Sequence, residues 1–265
     1  MKIYEYARKR NIKSKDVVKR LHELGFNHLK NHLSLVPGKV IDKLDKTPFP
    51  VRDKALQSIV YLTLECQPFI NDKIGDKVSA KLTKSKRVKN TIILPKFNIT
   101  DTILEKVAED IYKTTYKLND YYFLASPDFE RPKLLGYADD HKRIAFYMKK
   151  ALKVIEQLEV DIINIHDWPL GLFPLFYRQY SKLNNAKIEF SIYDPTYSGI
   201  YALNDYTDVF KLDNSTIDLA TYAKSINLLK AGLVTADTFD ISKTVIAELK
   251  QSYLKAFIYD NMRKS

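Results

Sequence analysis

Apolar residues follow two different rhythms along this chain, and the change between them falls near residue 56. Before it the spacing is helical. Val17, Val18, Leu21 and Leu24 share one face behind Ser14, a helix-capping residue, while Asp16 complements the dipole and Gly25 supplies a left-handed stop. Phe26 is then placed to pack back on that last turn. Shorter helices are predicted over Ile3 to Arg10 and over Lys39 to Lys46, the latter with Val40, Ile41 and Leu44 inward and Pro37-Gly38 as punctuation. Residues 1–46 therefore read as a three-helix module. Two prolines in Lys46-Thr47-Pro48-Phe49-Pro50 remove backbone donors and resist helix, which makes 47–56 a linker.

Beyond it, short β-branched runs alternate with helical patterns. The runs are Ser58 to Leu64, Thr91 to Leu94, Tyr121 to Ala125, Val160 to Ile165 and Ile188 to Tyr193, nearly continuous in apolarity as strands buried on both faces require. Asp101 is placed to cap a helix using Ile103, Val107 and Ile111. Asp140 opens a longer one using Ile144, Tyr147, Met148, Ala151, Ile155 and Leu158. The alternation predicts an α/β fold with a doubly wound, mainly parallel sheet over 57–265. Ligands of such sheets sit at the carboxyl ends of the strands, so the loops after residues 65, 165 and 193 become the places of interest.

Composition narrows the class. With 265 residues, 45% hydrophobic and 28% charged, the chain has apolar surface for a real core. No run approaches the roughly 18 apolar residues of a membrane helix, and Met1 to Arg10 lack a signal-peptide core, so a cytoplasmic protein without a membrane partner is expected. The single cysteine, Cys66, excludes an internal disulfide and cysteine-built metal sites; a small buried thiol is its expected state. His28 and His32 are spaced like a helical metal pair, but Leu29, Leu33 and the absent third ligand favour surface polar residues, and no metal or cofactor is expected. Ser198-Gly199 forms no nucleophile elbow, and Asp139-Asp140 reads as a helix cap rather than an acid/base pair. The net charge of +11 sits at the amino-terminal end: residues 1–50 carry 12 Lys and Arg against 5 Asp and Glu, and 51–100 carry 10 against 4. That asymmetry suits an anionic partner such as RNA or a ribosome surface. The lysine-rich run Lys81 to Lys89 reads as a solvated helix end and loop.

Two family resemblances sharpen this reading. Ile3-Tyr4-Glu5-Tyr6-Ala7, Ile12 to Val18, Leu21-His22-Glu23-Leu24-Gly25 and Lys30 to Ser34 together resemble the small amino-terminal module of bacterial translation initiation factor two. This implies a three-helix accessory contact to RNA or protein; no GTP-binding domain follows, so initiation activity is not implied.

From about residue 57 to 250 the chain resembles the amino-terminal catalytic half of bacterial glycogen and starch synthases, the family 5 glycosyltransferases. The resemblance lies in Glu65-Cys66-Gln67-Pro68-Phe69, Leu94-Pro95-Lys96-Phe97, Phe129-Glu130-Arg131-Pro132 with Gly136-Tyr137 and Asp140, and Arg143 to Phe146. It continues through Ile165-His166-Asp167-Trp168, Tyr197 to Tyr201, Leu229-Lys230-Ala231-Gly232 and Ala236-Asp237. It implies a Rossmann-like domain, the amino-terminal half of a GT-B glycosyltransferase that acts on ADP-glucose and α-glucan.

Three departures fall on the three loops. The family's Lys-x-Gly-Gly, where glycine admits the donor phosphates and lysine neutralises them, falls here in Asn71-Asp72-Lys73-Ile74-Gly75, with Asn71 at the lysine position and Lys73 or Ile74 in place of a glycine, depending on where an apparent one-residue deletion is placed. His-Asp-Trp-His becomes His166-Asp167-Trp168-Pro169, and proline neither titrates nor bonds through its side chain. The third motif, near His-Asn-x-x-Tyr-x-Gly, becomes Tyr193-Asp194-Pro195-Thr196-Tyr197-Ser198-Gly199. The chain also stops at Ser265, where the resemblance implies a second nucleotide-sugar domain. The expectation is a noncatalytic domain retained for α-glucan or protein binding, with His166, Asp167, Trp168, Tyr197 and Gly199 lining the sugar cleft and no catalytic residue. Two alternatives stand beside it: glucosyl transfer from ADP-glucose with a partner chain supplying the second domain, and RNA or ribosome binding through the basic module.

Overall fold

A computed structural model describes residues 1–10, 12–46, 57–85, 87–99, 102–183 and 185–257. The chain forms two compact units, Met1–Gln57 and Ser58–Ser265. Residues 47–56, read as the linker, and Asp101, read as a helix cap, lie outside the described residues.

In the first unit α1 (Ile3–Lys9), α2 (Ser14–Glu23) and α3 (Gly38–Asp45) enclose a core of Ile3, Tyr6, Val17, Leu21, Leu29, Val40 and Leu44. Gly25, at φ 89°, ends α2 as its position requires, and Phe26 packs against that core. Ser14 is not the cap: Lys13 holds that position, and Ser14 is the buried first residue of the helix. His28 and His32 lie in the non-helical stretch between α2 and α3, so their spacing does not align them on a helix face.

The second unit is built on an eight-stranded sheet. Its elements run β1 (Gln57–Leu62), α4 (Gly75–Lys81), β2 (Val88–Pro95), β3 (Glu105–Ala108), β4 (Ile111–Tyr116), β5 (Asn119–Leu124), α5 (Asp140–Ile155), β6 (Ile162–His166), α6 (Phe173–Tyr180) and β7 (Lys187–Ile192). There follow β8 (Ile200–Ala202), α7 (Asp205–Asp208), α8 (Ile217–Ala220), β9 (Thr221–Tyr222), β10 (Ser225–Asn227), α9 (Leu228–Thr235), β11 (Thr238–Ile241) and α10 (Lys243–Gln251). The sheet order is β11-β7-β6-β1-β2-β5-β4-β3, and β8, β10 and β9 form a separate three-stranded sheet. Pairings β11–β7, β7–β6, β6–β1 and β2–β5 are parallel, so the sheet is mainly parallel as expected.

The predicted helix through Ile103, Val107 and Ile111 is replaced by the antiparallel strands β3 and β4, the latter paired to β5. Its apolar spacing misled: Ile103 is almost fully exposed, and Thr114 and Thr115 favour strand. The hairpin between β4 and β5 turns at Lys117 (φ 47°) and Leu118 (φ 68°), two left-handed residues with none of the Asn or Gly that usually mark such turns.

The two faces of the central strands differ. Val60, Leu62, Ile163, Ile165, Ile188 and Phe190 are buried in one core with Ile144, Tyr147, Met148, Ala151 and Ile155 of α5. The opposite face carries polar residues in register: Tyr61, Asn164 and Glu189 in one row, His166, Ser191 and Asp240 in the next. Lys81, the last residue of α4, reaches across this face to pair with the Asp240 carboxylate and to donate to Ser191 Oγ at 3.3 Å. It is a partner to the sheet, not a solvated helix end. Among the described residues no helix is long and apolar enough to cross a membrane.

Candidate functional site

Strands β1, β6 and β7 are neighbours, so the loops at their carboxyl ends, 66–74, 167–172 and 193–199, come together at one edge. In the first loop the organising group is Glu65. It is buried, and its Oε2 accepts the amides of Asp72 (2.8 Å), Lys73 (2.6 Å), Ile74 (3.0 Å) and Gly75 (3.3 Å). One carboxylate thereby satisfies the donors that a turn into a helix leaves unpaired. Gly75 is required there by close approach, since a Cβ would lie 2.3 Å from the carbonyl oxygen of Ile70. Asn71 accepts the Asp76 amide at 2.9 Å, a bond to the first turn of α4. The side chains of Asp72 and Lys73 are exposed.

The second loop begins with His166, 1% exposed and sandwiched between Tyr61 and Tyr193, each ring centroid 5.8 Å away. Its Nδ1 lies 2.9 Å from the Tyr193 hydroxyl, and its Nε2 has no hydrogen-bond partner. Burial, with the Lys81 charge adding to it, pulls its pKa down to about 3, so the ring is neutral. Asp167 is also buried; its carboxylate receives the Tyr193 amide at 3.4 Å, and burial pushes its pKa up to about 6. Pro169 occupies the first turn after Trp168, where a proline costs no backbone bond.

The third loop brings Tyr197 edge-on to Trp168, with centroids 4.6 Å apart and planes at 79°. Tyr197 is 52% exposed and Trp168 partly buried, so the two rings form an open aromatic corner. Gly199 makes the corner possible: its φ is 63°, and a Cβ would stand 2.5 Å from the Trp168 ring. Gly199→Ala is accordingly expected to destabilise the domain by about 2 kcal/mol and to shift Trp168 fluorescence, measured by urea unfolding and emission spectra. An unchanged unfolding midpoint would contradict the packing described.

Of the residues singled out by sequence, Trp168, Tyr197 and Gly199 meet at this corner. His166 and Asp167 lie beneath it, their side chains turned to Tyr193, and Asn71 to Gly75 form the adjoining loop. The Arg-Pro and Gly-Tyr landmarks make a separate knot. Arg131 grips Asp139 through two bonds of 2.7 Å, and Asp140 accepts the amides of Gly136 and Tyr137 and the Arg143 guanidinium. Asp139 holds the N-cap position of α5, in keeping with the cap reading, but its carboxylate goes to Arg131 rather than to a helix amide, and Asp140 ties its helix to the preceding loop. Cys66 is the buried thiol expected, its pKa pushed up to about 12 by desolvation.

Sequence reasoning missed Glu65 as a loop holder, and it missed Tyr253, whose hydroxyl donates to Ser198 Oγ at 2.8 Å and receives the Asn227 amide at 2.6 Å. It likewise missed the role of Lys230, a buried ammonium donating to the carbonyls of Asp218 and Thr221, both at 2.6 Å.

Residues 58–262 match the family model of the starch synthase catalytic domain. A glycogen synthase of Clostridioides difficile is 27% identical over 233 positions, covering 74% of this chain and 48% of that protein. One from Geobacillus thermodenitrificans is 25% identical over 227 positions, covering 74% and 46%. The chain spans about half the length of these relatives. A solved structure, the catalytic domain of starch synthase IV from Arabidopsis thaliana bound to ADP and acarbose, superimposes with a TM-score of 0.63 at 18% identity, covering 79% of this chain and 49% of that one. The likeness is one of fold: half of a GT-B glycosyltransferase.

Proposed function

The chain belongs to the starch synthase catalytic domain family, and on that premise we propose that it is a noncatalytic member that binds α-glucan at the corner of Trp168 and Tyr197. The observation that carries this reading is a contrast between adjoining loops. The aromatic corner is built and open, with Gly199 shaped around the indole ring. The loop beside it has its amides 72–75 engaged by Glu65 and a neutral Asn71, bonded to the Asp76 amide, in place of the phosphate-neutralising lysine, while in the Trp168 loop itself Pro169 stands in place of the titratable histidine. Aromatic faces stack on the apolar faces of sugar rings whether or not a donor is activated, so binding survives without the transfer chemistry, which needs charge placed against a departing diphosphate.

The proposed layout has residues 1–46 as a basic accessory module, kin to the first module of initiation factor two, 47–56 as linker and 57–265 as the glucan-binding domain. Catalysis with a second chain that supplies the nucleotide-sugar half is the competing reading.

Affinity electrophoresis in glycogen tests the proposal. The wild-type protein is expected to be retarded, and Tyr197→Ala or Trp168→Ala to weaken retardation about tenfold, equivalent to about 1.4 kcal/mol. Retardation should persist as salt rises, because stacking releases no counterions. Migration unaffected by glycogen, or retardation that both variants keep in full, would overturn it.

A further inference from the structure

Asp167 combines features that a residue merely filling space would not carry. Its backbone sits at φ 65°, ψ 170°, a region that sterics reserve almost wholly for glycine. Its side chain is nevertheless 6% exposed and fully engaged. The carboxylate receives the Tyr193 amide at 3.4 Å and also faces the amides of Trp168 and Asp194, so it joins the loop after β6 to the loop after β7. The backbone holds the same seam, as the Asp167 amide donates to the carbonyl of Ser191 at 2.8 Å. Asp194 continues the chain of constraints, for its Oδ1 accepts the Thr196 amide at 2.9 Å one residue before Tyr197.

We infer that Asp167 is a positioning residue, whose carboxylate, bonded from the loop after β6 to the Tyr193 amide at the start of the loop after β7, fixes the angle between Trp168 and Tyr197 and so sets the ring geometry offered to an α-glucan. This rests on the glucan-binding reading, but the positioning itself does not. A strained backbone persists where surrounding bonds over-determine it, and here those bonds run to the two loops that carry the aromatic rings. A charged acceptor strengthens each of them.

Trp168 is the chain's single tryptophan, so its fluorescence reports on the corner alone. The test compares Asp167→Asn, which keeps the size and the backbone demand but removes the charge, with Asp167→Gly, which relieves the backbone and removes the bonds. Tyr206→Phe serves as control; it loses a buried-ring hydroxyl bond to Thr216 remote in sequence from both loops. Acrylamide quenching of Trp168 is expected to rise about twofold in Asp167→Gly and less in Asp167→Asn, each with a cooperative melt, and to stay at the wild-type value in Tyr206→Phe. Glycogen retardation should fall in the same order.

Wild-type quenching in a folded Asp167→Gly overturns the inference. If that variant gives no cooperative melt, Asp167→Asn decides alone, and wild-type quenching there overturns it equally. Should the wild-type protein ignore glycogen while the quenching series holds, the glucan reading fails and the positioning role stands.

Discussion

Glu65→Ala is expected to lower the unfolding free energy of the second unit by about 4 kcal/mol, the loss typical when a buried charged acceptor leaves its donors stranded. The side chain is buried, and its Oε2 alone serves the amides of residues 72, 73, 74 and 75. Alanine leaves these four amides without their acceptor. Glu65→Gln keeps one carbonyl oxygen in place and is expected to lose only about 2 kcal/mol. Urea unfolding of the three proteins followed by circular dichroism checks the ordering. Equal midpoints for wild type and Glu65→Ala would mean that the loop is held by something else.

A second large effect concerns acid. His166 is neutral in the folded domain because burial holds its pKa at about 3, against an ordinary value of 6.5. Its contribution to stability is therefore complete above about pH 6.5 and drains away as the pH falls toward 3, since the unfolded chain takes up the proton first. Asp167 works in the opposite sense. Its pKa is raised from 3.8 to about 6, so the folded state binds the extra proton, and its contribution is complete below 3.8 and lost as the pH rises through 6. Between about pH 6 and 4 the two nearly offset; below 4 the His166 loss is unopposed.

His166→Phe keeps the ring between Tyr61 and Tyr193 and removes the titration. Relative to wild type, the variant should gain about 4 kcal/mol between pH 7 and pH 3, at about 1.4 kcal/mol per pKa unit. Denaturant unfolding at a series of pH values measures that difference. A gap that stays constant over the interval would show that His166 is not held neutral by burial.

The parts of the fold that were legible in sequence are those where periodicity and burial coincide. Ile144, Tyr147, Met148, Ala151 and Ile155 lie at helical spacing, and all are buried along α5. The parts missed are those whose logic is long-range. Lys117 and Leu118 turn a hairpin without a turn residue because β4 and β5 pair on either side, and that pairing outweighs local preference. The polar face of Tyr61, Asn164 and Glu189 looked like ordinary buried strand because each polar residue stands between apolar neighbours.

The site divides in the same way. Trp168, Tyr197 and Gly199 were recognisable because two family motifs carry them, and the structure joins them through a ring contact. Asn71 read only as a missing lysine, whereas in three dimensions its side chain accepts the Asp76 amide in the first turn of α4. Nothing local announces that Glu65 will serve four amides up to ten residues ahead, or that Tyr253 will return to bond Ser198. The two rings were thus visible in the motifs, and the groups that hold them in place were visible only in the fold.

The central claim, that this domain grips glucan without transferring glucose, is tested most directly by running the purified full chain through a glycogen gel loaded with labelled ADP-glucose. The account predicts a retarded band with no label deposited above a boiled control. Label incorporated at the band, or a band that runs as though glycogen were absent, would contradict it.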